Sequence, residues 1–319
     1  MPAAPLADRV RQGDVRALAR AISLVENDAT EGARLVGELF PHTGRAWVLG
    51  VTGPPGAGKS TLVDRIAAAL RATGATVGIL AVDPSSPFSG GAILGDRVRM
   101  PSHAGDAGVF IRSMATRGHL GGLARATADA ALVLDAAGRD CIIVETVGVG
   151  QDEVEIVAMA DVCLVTLAPG AGDEVQALKA GMMEIADVFA VNKADREGAD
   201  RAVADIEAML GLQGPEPGGW AVPVVKTVAV RGHGIEALLA AVARFRAQAP
   251  REISRRRRQR SEFHLRTALA GAFMERVAAR VPPAALAALA ARIAAREIDP
   301  YAAAREVLRQ ICGEPEAEA

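Results

Sequence analysis

The chain has 319 residues, is 50% hydrophobic and 23% charged, and carries a formal net charge of −2 at pH 7. This composition is ordinary for a globular protein, and the near-neutral charge gives no electrostatic basis for nucleic-acid binding. No apolar run is long enough to span a membrane and the first residues do not resemble a signal peptide, so we expect a cytoplasmic protein with no membrane partner.

Hydrophobic periodicity divides the chain into three predicted domains. Residues 1–45 place apolar positions at helical spacing, which predicts an N-terminal helical extension. Residues 46–249 alternate apolar runs with helical segments, which predicts an α/β domain with a mainly parallel sheet and helices on both faces. Residues 250–319 lack strand signals and predict a C-terminal helical region, which forms either a dimerisation arm or a cover over the sheet. The predicted strands are Trp47–Val51, Val77–Val82, Val109–Ile111, Cys141–Glu145, Val162–Leu167, Val188–Val191 and Val222–Thr227.

A phosphate-binding loop follows the first predicted strand. Residues 53–60 fit the pattern G-x-x-x-x-G-K-[ST] and lie between a strand and a helix, as this motif requires. Its backbone N–H groups can surround a phosphate at a helix N-terminus. We expect Lys59 to reach the β- and γ-phosphates and Ser60 to bind Mg²⁺. The predicted nucleotide-binding residues of the loop are Gly53, Pro54, Pro55, Gly56, Ala57, Gly58, Lys59, Ser60 and Thr61.

Carboxylates at strand ends are candidates for the metal. Asp83 closes the second predicted strand, Asp96 follows a glycine-rich stretch, and Glu145 ends the fourth strand. Ligands of parallel sheets gather at the carboxyl ends of the strands, so we expect all three near the metal. A turn aspartate and a helix cap are the alternatives for Asp83 and Asp96.

The stretch Glu145–Gln151 is similar to the D-x-x-G switch of GTPases, with Glu in place of Asp. The N–H group of Gly148 is expected to meet the γ-phosphate. Glu145 either holds Mg²⁺ through a water or helps to order the attacking water.

A glycine-flanked segment, residues 169–181, follows the fifth predicted strand. It is either a hinged segment or a rigid loop and helix. On the first interpretation, Lys179 is a candidate catalytic residue that acts when a partner orders the segment.

The end of the sixth predicted strand carries the guanine signature N-K-x-D, as Asn192, Lys193 and Asp195. The Asp195 carboxylate can accept from two guanine donors, whereas adenine would leave this carboxylate facing a lone pair. Farther along, Val228 and Ala229 occupy the place of the Ser-Ala pair whose alanine N–H faces guanine O6 in many GTPases. The match is partial because Val228 replaces the serine.

Together these stretches resemble the MeaB/ArgK family, in the SIMIBI class of P-loop GTPases. The resemblance covers nearly the whole chain, and its most specific parts are DPSSPFSGGAILGDRVRM (residues 83–100), ETVGVGQ (145–151) and DPY (299–301). It implies a homodimeric GTPase that binds GTP, GDP and Mg²⁺. It also implies a chaperone that gates cofactor loading and protects adenosylcobalamin-dependent methylmalonyl-CoA mutase.

Two other functions are compatible with a phosphate loop on such a sheet. A metal-delivery GTPase usually carries Cys/His sites, but the three cysteines of this chain show no such spacing. A P-loop small-molecule kinase would not need the N-K-x-D signature. A separate feature is the basic run Arg255–Arg258, which is either a partner contact or a solvated helix face with salt bridges.

Overall fold

The structure, a computed structural model, describes residues 4–83, 100–103, 105–115, 122–146, 160–170, 180–212 and 220–312. The predicted site residues Asp96, Gly148 and Lys179 lie outside these ranges, as does the side chain of Asp83. The chain forms two compact units, Met1–Ser261 and Glu262–Ala319. The predicted functional boundaries after residues 45 and 249 stay predictions.

Parallel strands form the sheet of the first unit. They are β1 (Trp47–Thr52), β2 (Val77–Asp83), β3 (Val109–Ala115), β4 (Cys141–Thr146), β5 (Val162–Leu167), β6 (Val188–Val191) and β7 (Val224–Lys226). Among the described residues they form one seven-stranded sheet in the order β3-β2-β4-β1-β5-β6-β7. Every pairing is parallel, which confirms the predicted α/β fold.

Strand β3 extends to Ala115, four residues beyond its predicted end at Ile111. The polar pair Arg112 and Ser113 interrupts the apolar pattern there. Arg112 is accommodated in the strand because its guanidinium pairs with Glu26 and donates to Ser23, both in the N-terminal region.

Helices cover both faces of the sheet. The first unit contains α1 (Leu6–Arg11), α2 (Val15–Asn27), α3 (Ala29–Leu39), α4 (Lys59–Ala72), α5 (Gly122–Ala136), α6 (Ala180–Ile185), α7 (Ala199–Leu212) and α8 (Ile235–Gln248). Successive strand residues point to opposite faces. Leu164 of β5 joins a buried cluster with residues of α4 and α8, whereas Val165 joins a cluster with residues of α6 and α7.

Polar contacts hold the N-terminal helices and the segment before β1 against α5 and β3. The Asp135 carboxylate on α5 accepts hydrogen bonds from the backbone N–H groups of residues 44–46, at 2.6–3.2 Å. Arg112 of β3 pairs with Glu26 of α2 and donates to Ser23 at 3.1 Å. The entry to β1 is therefore fixed before the phosphate loop begins.

The C-terminal region is helical, as predicted. Its helices are α9 (Pro250–Arg280), α10 (Pro283–Ala294) and α11 (Pro300–Cys312). Asp299 Oδ1 caps α11 by accepting the N–H groups of Tyr301 and Ala302, both at 2.9 Å. Within the described ranges, no single helix has the length and apolar character to cross a membrane; α9 and α10, a bent pair, meet that criterion only when joined.

The basic run of α9 packs on buried carboxylates, which neither interpretation of the sequence had assigned to it. Asp161 and Asp187 lie immediately before β5 and β6 and are almost inaccessible. Arg256 Nη2 lies 2.9 Å from Asp187 Oδ1, and Arg257 Nη2 lies 2.9 Å from Asp161 Oδ2. Burial raises the pKa of Asp187, and the hydrogen bonds from Arg256 oppose that rise. Arg255, in contrast, pairs with Glu252 on the exposed side of the helix.

We expect Arg256→Met to lower the free energy of unfolding by about 3–5 kcal/mol, because it leaves the Asp187 charge buried without its partner. Arg255→Met is the matched control, since it removes the neighbouring arginine from an exposed pair and should cost about 1 kcal/mol or less. Urea denaturation of the two variants measures the difference. Equal losses would show that the contact with Asp187 adds nothing to stability.

Candidate functional site

The phosphate loop joins β1 to α4 at the carboxyl edge of the sheet. Because β1 lies between β4 and β5, the loop opens where the strand order reverses, the usual ligand crevice of such sheets. Gly53, Gly56 and Gly58 have φ values of +135°, +78° and +89°. A Cβ atom on Gly53 would lie 1.9 Å from the Thr166 carbonyl oxygen, so this position requires glycine.

Lys59 is the first residue of α4 and is buried. Its Nζ atom donates to the carbonyl oxygens of Gly53, at 2.6 Å, and Pro54, at 3.0 Å. The ammonium group therefore lies within the curve of the loop, at the positive end of the helix. This arrangement concentrates positive charge where the loop can receive an anion.

Two of the predicted metal-binding residues lie side by side. The parallel pairing of β1 with β4 sets Val51 opposite Glu145, and Ser60 Oγ donates a hydrogen bond to Glu145 Oε1. The two side chains supply hydroxyl and carboxylate oxygens, which suit Mg²⁺ when phosphate oxygens complete the coordination. In the described part of the chain, no group of three or more His, Cys, Asp or Glu residues could hold a metal. The backbone of Asp83 ends β2, two strands from β1.

Asn192 connects the phosphate loop to the loop that follows β7. Its Nδ2 atom donates to the carbonyl oxygen of Ala57 at 3.0 Å. Its Oδ1 atom accepts from Thr227 Oγ1 at 3.2 Å and from the N–H of Ala229 at 3.1 Å. The N–H that we expected to face guanine O6 therefore donates to Asn192 in this structure. Val228 is buried, and its N–H donates to His233 O at 3.0 Å.

The remaining guanine-signature residues lie around the same loop. Lys193 has a positive φ of 57°, and its Nζ donates to Gly56 O at 2.6 Å. Asp195 is exposed, and its Oδ2 lies 3.9 Å from Arg231 Nη2. The structure thus places Asn192 and Lys193 against the phosphate loop, whereas Asp195 lies beside Arg231.

Several polar residues of this region had no predicted role. Thr227 supports the side chain of Asn192, and Thr146 Oγ1 donates to Thr52 Oγ1 at 3.0 Å at the ends of the two central strands. Asp64, on α4, accepts a hydrogen bond from Ser102. The only sequence signal for Asp64 is its position one helical turn after Ser60, which places both residues on one side of α4.

Comparison with known proteins identifies the family. A family model described as methylmalonyl Co-A mutase-associated GTPase MeaB matches residues 18–281. The chain belongs to the MeaB family. A Pyrococcus abyssi relative is 48% identical over 312 residues, covering 97% of this chain and 96% of that protein. Escherichia coli GTPase ArgK is 39% identical over 246 residues, covering 75% and 74%. A crystal structure titled LAO/AO transport system kinase is 27% identical, with a TM-score of 0.69 and 96% coverage of both chains.

Membership of the MeaB family confirms the resemblance and the class of activity. The chain is a GTPase, which binds guanine nucleotides and hydrolyses GTP to GDP and phosphate. The roles of the individual loop, switch and signature residues stay predictions.

We expect Gly53→Ala to disrupt nucleotide binding more strongly than Gly56→Ala. Both substitutions force a side chain into a backbone conformation that favours glycine, which costs about 1–2 kcal/mol for an ordinary left-handed residue. Only at Gly53 does the new Cβ also overlap a backbone carbonyl, whereas a Cβ on Gly56 meets no atom within 4 Å among the described residues. GDP affinity by calorimetry and thermal unfolding test this. Equal losses of GDP affinity in the two variants would show that the close approach of Gly53 to Thr166 does not limit nucleotide binding.

Proposed function

We propose that the chain binds Mg²⁺–GTP between the phosphate loop and the N-K-x-D motif and uses its hydrolysis to regulate methylmalonyl-CoA mutase. The observation that carries the nucleotide site is Asn192, whose one amide group contacts both the phosphate loop and the loop after β7. A ligand with phosphates at one end and a guanine at the other fits this arrangement.

The phosphate end combines positive charge with metal-binding oxygens. Bound Mg²⁺ would supply positive charge to the β- and γ-phosphate oxygens. Ser60 and Glu145 are the described residues that would hold it, and we assign Asp83 and Asp96 to the same metal. Lys59 stabilises charge on the bridging oxygen, because it is fixed within the loop before reaction begins. We assign to Gly148 a contact of its N–H with the γ-phosphate.

The base end selects guanine through the Asp195 carboxylate. Guanine offers this carboxylate two N–H donors, whereas adenine offers a ring nitrogen lone pair in the same position. An unpaired buried polar group costs about 1–3 kcal/mol, which corresponds to roughly fivefold to 140-fold discrimination. Asp195 is exposed, so we expect this discrimination to arise only when the bound base covers the carboxylate.

The partner assignment rests on the family. Its model is described as a methylmalonyl Co-A mutase-associated GTPase, and this description supports the mutase as partner. We propose that the GTPase gates cobalamin loading, protects the mutase from inactivation, and acts as a cytoplasmic homodimer through its C-terminal helices. Lys179 is assigned to hydrolysis in the mutase-bound state.

A kinase that transfers the γ-phosphate to a small molecule is the second candidate, because the similar crystal structure carries a kinase title. The fate of the phosphate separates the two functions. Release of free phosphate from GTP supports the GTPase, and a phosphorylated acceptor supports the kinase.

We expect Asp195→Asn to weaken GDP binding and to improve binding of xanthosine diphosphate. Xanthine carries a carbonyl where guanine has its exocyclic amine, and the asparagine amide can donate to that carbonyl. Calorimetric titration of wild type and variant with both nucleotides measures the exchange of preference. A variant that keeps the wild-type preference would remove Asp195 from the base site.

We expect the mutase to co-elute with the GTPase on size exclusion and to change its rate of GTP hydrolysis. Runs with GDP and with a non-hydrolysable GTP analogue test whether association depends on the nucleotide. Phosphate release with and without mutase, for wild type and for Lys179→Ala, tests the role of Lys179. No association in any nucleotide state would reject the mutase as partner while leaving the GTPase assignment intact.

A further inference from the structure

Arg65 connects the phosphate helix to the loop that carries Ala229. It lies on α4, the helix that begins at Lys59. Its guanidinium donates from Nε to the carbonyl oxygen of Ala229 at 3.1 Å and from Nη2 to the carbonyl oxygen of Val230 at 3.3 Å. The two acceptors are consecutive carbonyls, so the fork of one arginine spans two peptide units.

Ala229 is consequently held from two directions. Its N–H donates to Asn192 Oδ1, which follows the end of β6, and its carbonyl oxygen accepts from Arg65 on α4. Hydrogen bonds on both the N–H and the C=O of one residue restrict rotation of its flanking peptide planes. Ala229 is buried, so these contacts lie at the base of the loop rather than at its exposed tip.

The rest of this loop, residues 227–234, is shaped by hydrogen bonds of its own. The N–H of Val228 donates to His233 O at 3.0 Å, and the N–H groups of Arg231 and Gly232 donate to the carbonyl oxygens of Val228 and Ala229 at 2.9 and 3.0 Å. Val230 is 66% exposed, and its side chain contributes little packing. Gly232 and Gly234 adopt φ values of +74° and +79°, and a Cβ on Gly234 would lie 2.1 Å from the Lys226 carbonyl oxygen. These hydrogen bonds set the shape of the turn, whereas those from Asn192 and Arg65 connect Ala229 to the end of β6 and to α4.

We propose that Arg65 is a positioning residue for guanine recognition, which fixes the loop of Ala229 against the helix that binds the phosphates. The proposal rests on the guanine site proposed above and adds a specificity determinant to it. Arg65 acts through the backbone of Ala229 and Val230 and does not itself contact the nucleotide. Its loss should therefore weaken recognition of the base and leave recognition of the phosphates unchanged.

The test compares GDP and ADP affinities of the full chain by calorimetry, for wild type, Arg65→Ala and Arg65→Lys. We expect Arg65→Ala to weaken GDP binding by about tenfold, the change expected from loss of one charge-assisted hydrogen bond, with ADP affinity unchanged. Arg65→Lys should recover part of the loss, because an ammonium can reach one of the two carbonyls. In GTP hydrolysis, KM should rise more than kcat falls.

Arg71→Ala is the matched control. It removes an arginine from the same helix, but Arg71 pairs with Asp106 and does not reach the loop of Ala229. We expect it to leave the ratio of GDP to ADP affinity unchanged, and circular dichroism should confirm that both variants fold. Equal losses of GDP and ADP affinity in Arg65→Ala, or no loss, would overturn the proposal. A wild type that fails to prefer GDP over ADP would overturn the guanine site itself, and the role of Arg65 with it.

Discussion

The buried amide of Asn192 is the contact on which the arrangement of the site depends. It lies at the end of β6, where its own N–H donates to Leu167 O of β5 at 2.7 Å. Its side chain then satisfies groups on two other segments, one in the phosphate loop and one after β7. Leaving such groups unpaired costs about 1–3 kcal/mol each, so loss of the Asn192 amide would destabilise both contacts. A Cβ on Gly58 would lie 2.5 Å from the Asn192 amide nitrogen, which links the glycine of the motif to the asparagine.

The sequence was sufficient for features that depend on local chemistry. The phosphate loop, most strand bounds and the N-K-x-D motif are contiguous patterns, and parallel strands bring their carboxyl ends to one edge of the sheet. The exceptions are β3, which runs four residues past its predicted end, and β7, which at Val224–Lys226 is shorter than the predicted Val222–Thr227. The pairing of Ser60 with Glu145 depends on β1 lying beside β4, a strand order that hydrophobic patterns do not encode. The contacts of Arg65 could not be predicted from the sequence either. The pattern around an exposed helical arginine is the same whether or not its side chain contacts another loop.

The two ends of the sheet use buried charge in different ways. At the carboxyl end, the ammonium group of Lys59 is held by the backbone carbonyls of Gly53 and Pro54. At the opposite end, the carboxylates of Asp161 and Asp187 accept the N–H groups of Val48 and Cys163 on the adjacent strands. The N–H groups of the two aspartates donate to the carbonyl oxygens of the same two residues. The same carboxylates also meet arginines of α9. A charge run in the sequence can indicate that ion pairs form, but only the fold identifies these carboxylates as partners.

The aspartates that precede β5 and β6 limit where the sheet domain can be cut or joined to another domain. A sheet domain that ended at α8 would keep the buried carboxylates of Asp161 and Asp187 at the amino end of its strands. It would lose the α9 arginines that neutralise them. A gene fusion or excision at that junction would therefore yield a less stable sheet domain, unless neutral residues replaced both aspartates. A sheet domain that keeps the first turns of α9 retains both counter-charges, so a domain boundary farther along the helix costs less stability.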